Sequence, residues 1–230
     1  MLRRPVETAM ETGHWEGEWW NRRKDGGEYA EQVNLNVMRN QDGSVSRFVK
    51  ISLDITDKKH LDSHVWKLAN YDAVTNLPNR RLFHDRLGQE IKKCHRSGES
   101  LALFFIDLDR FKEVNDEFGH DVGDELLVEA ACRISSCIRS TDIVARQGGD
   151  EFVVLLTDLT ETTQVEAVAQ NITELLAQPF HLGDVEASIS GSIGIAIYPH
   201  DAVDENALIK KADQAMYVAK SKGRNCFSYA

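Results

Sequence analysis

The chain has 230 residues, 42% hydrophobic and 28% charged, with a formal net charge of −10 and an isoelectric point near 5.3. This is the composition of a soluble globular protein with material for a core, and its acidic balance argues against a nucleic-acid partner or broad binding to anionic membrane. The longest apolar runs are strand-length and MLRRPVETAMETG lacks a signal-peptide core. Cys94, Cys132, Cys137 and Cys226 form neither a C-x-x-C pair nor a disulfide framework, which fits reduced thiols in a cytoplasmic protein.

Residues 12–55 read as three antiparallel strands, GHWEGEWWNR, EYAEQVNLNVMR and VSRFVKISLDI, separated by the Asp-Gly turns of KDGG and NQDG. Val33, Leu35 and Val37 alternate as expected of a sheet with one wet face. A meander of this length with no helix of its own cannot bury both faces, so it packs on something else or ends a larger domain. WEGEWWNRRKDGGEYAE and the closing SLDITDKK make residues 9–59 resemble the C-terminal half of a PAS sensor domain. The resemblance implies a partial PAS-like segment over residues 1–55, without the earlier elements that form most of the family's ligand pocket. Trp15, Trp19 and Trp20 read as packing surface. Residues 56–70 form a connecting helix whose stripe of Leu61, Val65 and Leu68 suits pairing with its copy in a dimer.

From residue 71 helices and strands alternate. A helix follows Pro78 and Asn79, then the strand LALFFID, the helix GDELLVEAACRISSCI, and a hairpin of IVAR and EFVVLL. The helix TETTQVEAVAQNITELLA, the strand run VEASISGSIGIAIYP, the helix ENALIKKADQAMYVAKSK and the strand NCFSYA complete the chain. The order predicts an α/β (α+β) domain with a central mixed β-sheet surrounded by helices, preceded by the small antiparallel β segment.

The chemistry centres on RQGGDEFVVLL. Gly148 and Gly149 make a tight hairpin turn, placing Asp150 and Glu151 at the lip of a buried strand. Carboxylates beside a core need a cation, either a basic side chain or a metal, unless they are a solvated hairpin tip. Asp107 ends LALFFID; D-L-D resembles a calcium-loop opening, but Phe111 and Lys112 stand where a ligand and the sharp-turn glycine are required. If that strand pairs with the hairpin, Asp107 and Asp150 converge on one sheet edge and suit magnesium shared with phosphate; alone, Asp107 reads as a helix cap.

Five ordered motifs, DAVTNLPNRRLF, FFIDLDRFKEVNDEFGHDVGDELL, RSTDIVARQGGDEFVVLL, SIGIAIYP and ADQAMYVAKSKGRN, make residues 71–230 resemble the GGDEF family of diguanylate cyclases. Val74, Asn76 and Gln147 depart from the commoner residues without removing a chemical group. The resemblance implies a palm-like, nucleotidyl-cyclase fold and condensation of two GTP into cyclic di-GMP with loss of two pyrophosphates. It implies Mg²⁺ (or Mn²⁺) on Asp107 and Asp150 with help from the Leu108 carbonyl, and catalytic roles for Asp107, Asp150 and Glu151. It assigns guanine to Asn115 and Asp124, the phosphate tail to Lys112, Lys220 and Arg224, and close backbone approach to Gly148 and Gly149. Arg139 and Asp142 form an R-x-x-D that in the family binds cyclic di-GMP and inhibits the enzyme. Because one site holds one GTP, a homodimer is expected. The competing readings are a catalytically silent receptor for GTP or cyclic di-GMP, against which the intact carboxylates argue, and a palm-type cyclase using ATP, against which Asn115 and Asp124 argue.

Overall fold

The computed structural model describes residues 3–159 and 162–230, which fall into two compact units, Met1–Lys67 and Leu68–Ala230. In the first, α1 (Arg3–Thr12) precedes β1 (His14–Arg22), β2 (Glu28–Arg39) and β3 (Val45–Asp54), an antiparallel sheet in the order β1-β2-β3. The expectation of a meander with no helix of its own is corrected here. Pro5 is tolerated in a first helical turn, and Ala9 is fully buried. Both expected turns form: Gly26 and Gly43 take φ of +91° and +84°, which glycine adopts without a Cβ clash. Trp15 and Trp19 stack at 5.0 Å between centroids, whereas Trp20 is exposed. Glu31 is buried in this sheet and accepts from Trp19 Nε1 at 2.6 Å, Lys50 Nζ at 2.8 Å and Asn21 Nδ2 at 3.3 Å. The helix α2 (Thr56–Asn70) leaves Leu61, Val65 and Leu68 exposed along one stripe.

The second unit holds a five-stranded mixed sheet built from β4 (Ser100–Asp109), β5 (Ile143–Gly148), β6 (Glu151–Leu159), β9 (Ser190–Tyr198) and β10 (Cys226–Tyr229). Its order is β10-β9-β4-β6-β5; β10 runs parallel to β9 and every other pair is antiparallel. β4 is central and apolar nearly throughout, as a strand covered on both faces must be. Its even positions, Ala102, Phe104, Ile106 and Leu108, join a core with Leu126 and Ala130 of α5 (His120–Ser136) and Ala169 and Ile172 of α6 (Thr162–Leu176). Its odd positions, Leu101, Leu103 and Phe105, pack with Phe83 and Leu87 of α3 (Arg80–Ser97) and with Leu208, Ala212 and Met216 of α7 (Glu205–Ser221). Asn79 caps α3, its Oδ1 accepting from Leu82 N at 3.1 Å.

Three readings of the sequence change. Residues 111–118, not assigned to a helix, form the short helix α4 (Phe111–Phe118), bounded by Arg110 at φ +65° and Gly119 at φ +88°. The next helix begins at His120 rather than Gly123. The run from Val185 is two strands, because β8 (Val185–Ala187) turns back on β7 (Phe180–Leu182) before β9 begins. Of the helix expected over 160–177, residues 160 and 161 lie outside the described residues. Among the described residues no helix is long and apolar enough to cross a membrane.

α7 lies so close to the sheet that a Cβ on Gly194 would meet the Ala212 carbonyl oxygen at 1.9 Å and Met216 N at 2.1 Å. Both obstacles are backbone, so Gly194→Ala must push α7 off β9. The expected cost is about 2–3 kcal/mol, read as a lower midpoint in urea at an unchanged slope.

Candidate active site

Alternation along β4 continues past the core, so Asp107 and Asp109 point to the same side as Leu103 and Phe105, toward α7. Asp107 pairs across the strands with Glu151, the first residue of β6. The hairpin turns through Gly148 and Gly149 at φ of +142° and +54°. A bulge between Arg146 and Gly148 accompanies the turn, and Leu108 N–H donates to the Asp150 carbonyl at 3.2 Å. The turn is also clamped from outside. Arg146 donates to the Gly149 carbonyl from Nε at 3.0 Å and Nη2 at 2.7 Å, and its Nη1 meets Asp72 Oδ1 at 2.8 Å. Asp72 accepts from Thr75 N–H at 2.9 Å as well. Burial pushes the Asp72 carboxyl up, but these donors outweigh it and hold the group below its usual range. Neither Asp72 nor Arg146 was singled out in the sequence, because nothing local links residues 74 positions apart.

Asp107, Leu108, Lys112, Asp150, Lys220 and Arg224 line one cleft of about 370 Å³, together with Asp109. Asp107 is 8% exposed and meets Lys220 Nζ at 2.6 Å through Oδ2. Burial pushes its carboxyl up, the Lys220 bond opposes this without cancelling it, and the neighbouring Asp150 and Asp109 charges push the same way as burial. Burial likewise raises Glu151, reinforced by Asp107, Asp150 and Asp213. Acids crowded this closely demand a cation, and at Asp107 the protein supplies Lys220.

Residues 69–226 match the family model described as "Diguanylate cyclase, GGDEF domain". The chain belongs to the GGDEF family. It is 45% identical over 157 residues to the diguanylate cyclase TpbB of Pseudomonas aeruginosa, covering 68% of this chain and 36% of that protein. It is 40% identical over 174 residues to the cyclic di-GMP phosphodiesterase PdeR of Escherichia coli, covering 76% and 26%. The solved GGDEF-only structure of PA1120 (TpbB or YfiN) from P. aeruginosa is similar at 44% identity and a TM-score of 0.68, over 70% of this chain and 94% of that one. The coiled coil and GGDEF domain of DgcB from Caulobacter crescentus, in complex with c-di-GMP, is similar at 27% identity and a TM-score of 0.66, over 75% and 91%. The chain spans well under half the length of these curated relatives.

The other residues expected from the GGDEF resemblance, Glu151, Gly148 and Gly149 among them, do not line this cleft. Asn115 lies on α4 and Asp124 on α5, and neither lines it. A Cβ on Gly123 would stand 1.9 Å from Asn115 Oδ1, so the Asn115 amide rests directly on the bare backbone of Gly123. Arg139 and Asp142 line a different cleft, of about 530 Å³, shared with Arg86 and Glu90 of α3. Asp142 accepts backbone N–H groups from Thr157 and Arg139, each at 3.1 Å, which fixes the loop and leaves the Arg139 side chain outward.

Because burial and like charge hold Glu151 above its ordinary range, the folded chain binds its proton more tightly than the unfolded chain does. Its contribution to stability is then greatest at low pH and falls as pH rises through the raised value. Glu151→Gln is expected to raise the thermal midpoint at pH 8 in metal-free buffer, with the gain shrinking toward pH 4. Equal midpoints at pH 8 would remove the strain assigned to this carboxylate.

Proposed function

We propose that this chain is a diguanylate cyclase, condensing two GTP into cyclic di-GMP and two pyrophosphates. The observation that carries the reading is the meeting of Asp107, Asp150, Lys112, Lys220 and Arg224 in one cleft beside a turn of bare glycine backbone. Each 3′-hydroxyl must attack the α-phosphate of the other nucleotide in line, and the work of the protein is to position the partners and offset developing charge. Lys112, Lys220 and Arg224 are suited to the phosphate tail. Asn115 and Asp124 offer an amide and a carboxylate to the guanine edge, matching its acceptors and donors. Glu151 sits across the strand from Asp107, where it belongs to the same acidic group.

A divalent cation, Mg²⁺ or Mn²⁺, fits the donors present. Asp107 and Asp150 with the Leu108 carbonyl supply hard oxygens, and magnesium commonly takes one or two carboxylates and completes its shell with substrate phosphates. Among the described residues no group of three or more His, Cys, Asp or Glu has metal-holding geometry, which is consistent with ligands shared between protein and nucleotide. When bound, the ion supplies neutralisation of charge on the phosphoryl oxygens.

One cleft serves one nucleotide, so two copies must face each other as a homodimer, and the exposed stripe of α2 offers a surface for that pairing. In this reading residues 1–55 are a partial PAS-like segment, 56–70 the connecting helix and 71–230 the cyclase domain, working in the cytoplasm where GTP is found. Cyclic di-GMP would return to Arg139 and Asp142 as an inhibitor.

A second reading, a receptor that binds cyclic di-GMP without making it, draws on the Arg139 cleft alone and on relatives named as phosphodiesterases. Incubation with GTP and Mg²⁺ followed by chromatography separates the two. Cyclic di-GMP is expected from the native chain, with turnover at least ~100-fold lower in Asp150→Ala. No product, together with cyclic di-GMP binding that is lost in Arg139→Ala, would overturn the cyclase reading in favour of the receptor.

A further inference from the structure

Asp109 was not among the residues singled out in the sequence, yet it is the most deeply buried acid of the cleft, with its side chain 1% exposed. Its oxygens are engaged by groups far apart in the chain. Oδ1 accepts from Ser192 Oγ at 2.8 Å and stands 3.6 Å from Arg224 Nε; Oδ2 accepts from Ser190 Oγ at 2.7 Å and from Asn225 N–H at 3.4 Å. One carboxylate therefore ties the start of β9 to the loop between α7 and β10. That loop is conformationally costly, because Arg224 and Asn225 are successive non-glycine residues at φ of +67° and +48°. Its two contacts with Asp109, the Asn225 N–H and the Arg224 ion pair, fall on these same two residues.

The contact also sets which part of Arg224 is available. Arg224 turns its Nε toward Asp109, while the side chain as a whole is 56% exposed at the edge of the cleft. A guanidinium paired with a carboxylate on its Nε side can still present both terminal amino groups as a fork, the geometry that suits phosphate oxygens. An unanchored arginine would have to be ordered by the ligand itself, which weakens binding. Asp107, two residues away on the same face, meets Lys220 alone among the described residues, whereas Asp109 accepts three hydrogen bonds from protein and has Arg224 Nε 3.6 Å away. Asp109 is built to hold protein, not ion.

We propose that Asp109 is a positioning residue for the nucleotide's terminal phosphates, acting through Arg224 by locking the α7–β10 loop with that guanidinium directed into the cleft. This rests on the GTP reading above. The test measures binding of 3′-deoxy-GTP and 3′-deoxy-GMP in the presence of Mg²⁺; neither has the hydroxyl needed to condense. Asp109→Asn is expected to weaken the triphosphate at least ~10-fold and the monophosphate less than ~2-fold, since loss of an anchored charged contact falls on the outer phosphates. In an Arg224→Ala background, adding Asp109→Asn should cost the triphosphate nothing further. Ser190→Ala with Ser192→Ala, which removes two donors and keeps the carboxylate, should give a smaller loss of the same selectivity and serves if Asp109→Asn does not fold. Equal losses for both nucleotides, or a further loss in the double variant, would overturn the positioning role. Failure of the unaltered chain to bind 3′-deoxy-GTP would overturn the GTP reading and this inference with it.

Discussion

The site depends on the register of β4. Its odd positions bury Leu101, Leu103 and Phe105 on the side of α3 and α7, and the same alternation sends Asp107 and Asp109 there once the apolar run ends. A slip of one residue against β6 or β9 would place both acids on the opposite face. Fixed as they are, they have lost water, and a buried carboxylate is tolerable only with donors or a cation beside it. α7 provides the cation at its last turn, and it comes close enough because Gly194 leaves room for the helix backbone.

Two buried acids in the chain show what that arrangement leaves undone. Burial also pushes Glu31 up, but Lys50, Trp19 and Asn21 outweigh it and bring the carboxyl below its ordinary range. It is a satisfied group in a β-sheet. At Asp107 the single lysine does not offset burial and the neighbouring acids, and the carboxyl stays raised. The first arrangement stabilises a fold. The second leaves negative charge that a cation can offset, the kind of perturbed carboxylate that gathers at functional sites and also occurs in structural ion-pair networks.

Much of this was legible in the sequence where local chemistry decides it. The Gly-Gly turn, the strand ending at Asp107 and the hairpin strands follow from backbone freedom and apolar pattern, and the ordered motifs tie them to one family. α1 was not legible, because RRPVETAMET is short, carries a proline and offers only Val6, Ala9 and Met10 at helical spacing, and its burial rests on contact with the sheet. α4 was hidden by its length and by an entry through left-handed Arg110. Asp109 was hidden differently: beside Asp107 it looked like the second acid of a failed calcium loop, and its partners Ser190, Ser192 and Asn225 lie more than 80 residues away. Asn115 and Asp124 could be named from the resemblance, but only the structure shows why Gly123 must be bare beneath the Asn115 amide.

The most direct test of the account is a crystal structure of the chain with Mn²⁺ and 3′-deoxy-GTP, with the manganese located by its anomalous signal. The account requires manganese between the Asp107 and Asp150 carboxylates, in contact with nucleotide phosphate, and Lys220 drawn away from Asp107 toward the phosphate tail. Manganese found elsewhere, or Lys220 still on Asp107 with the nucleotide bound, would contradict it.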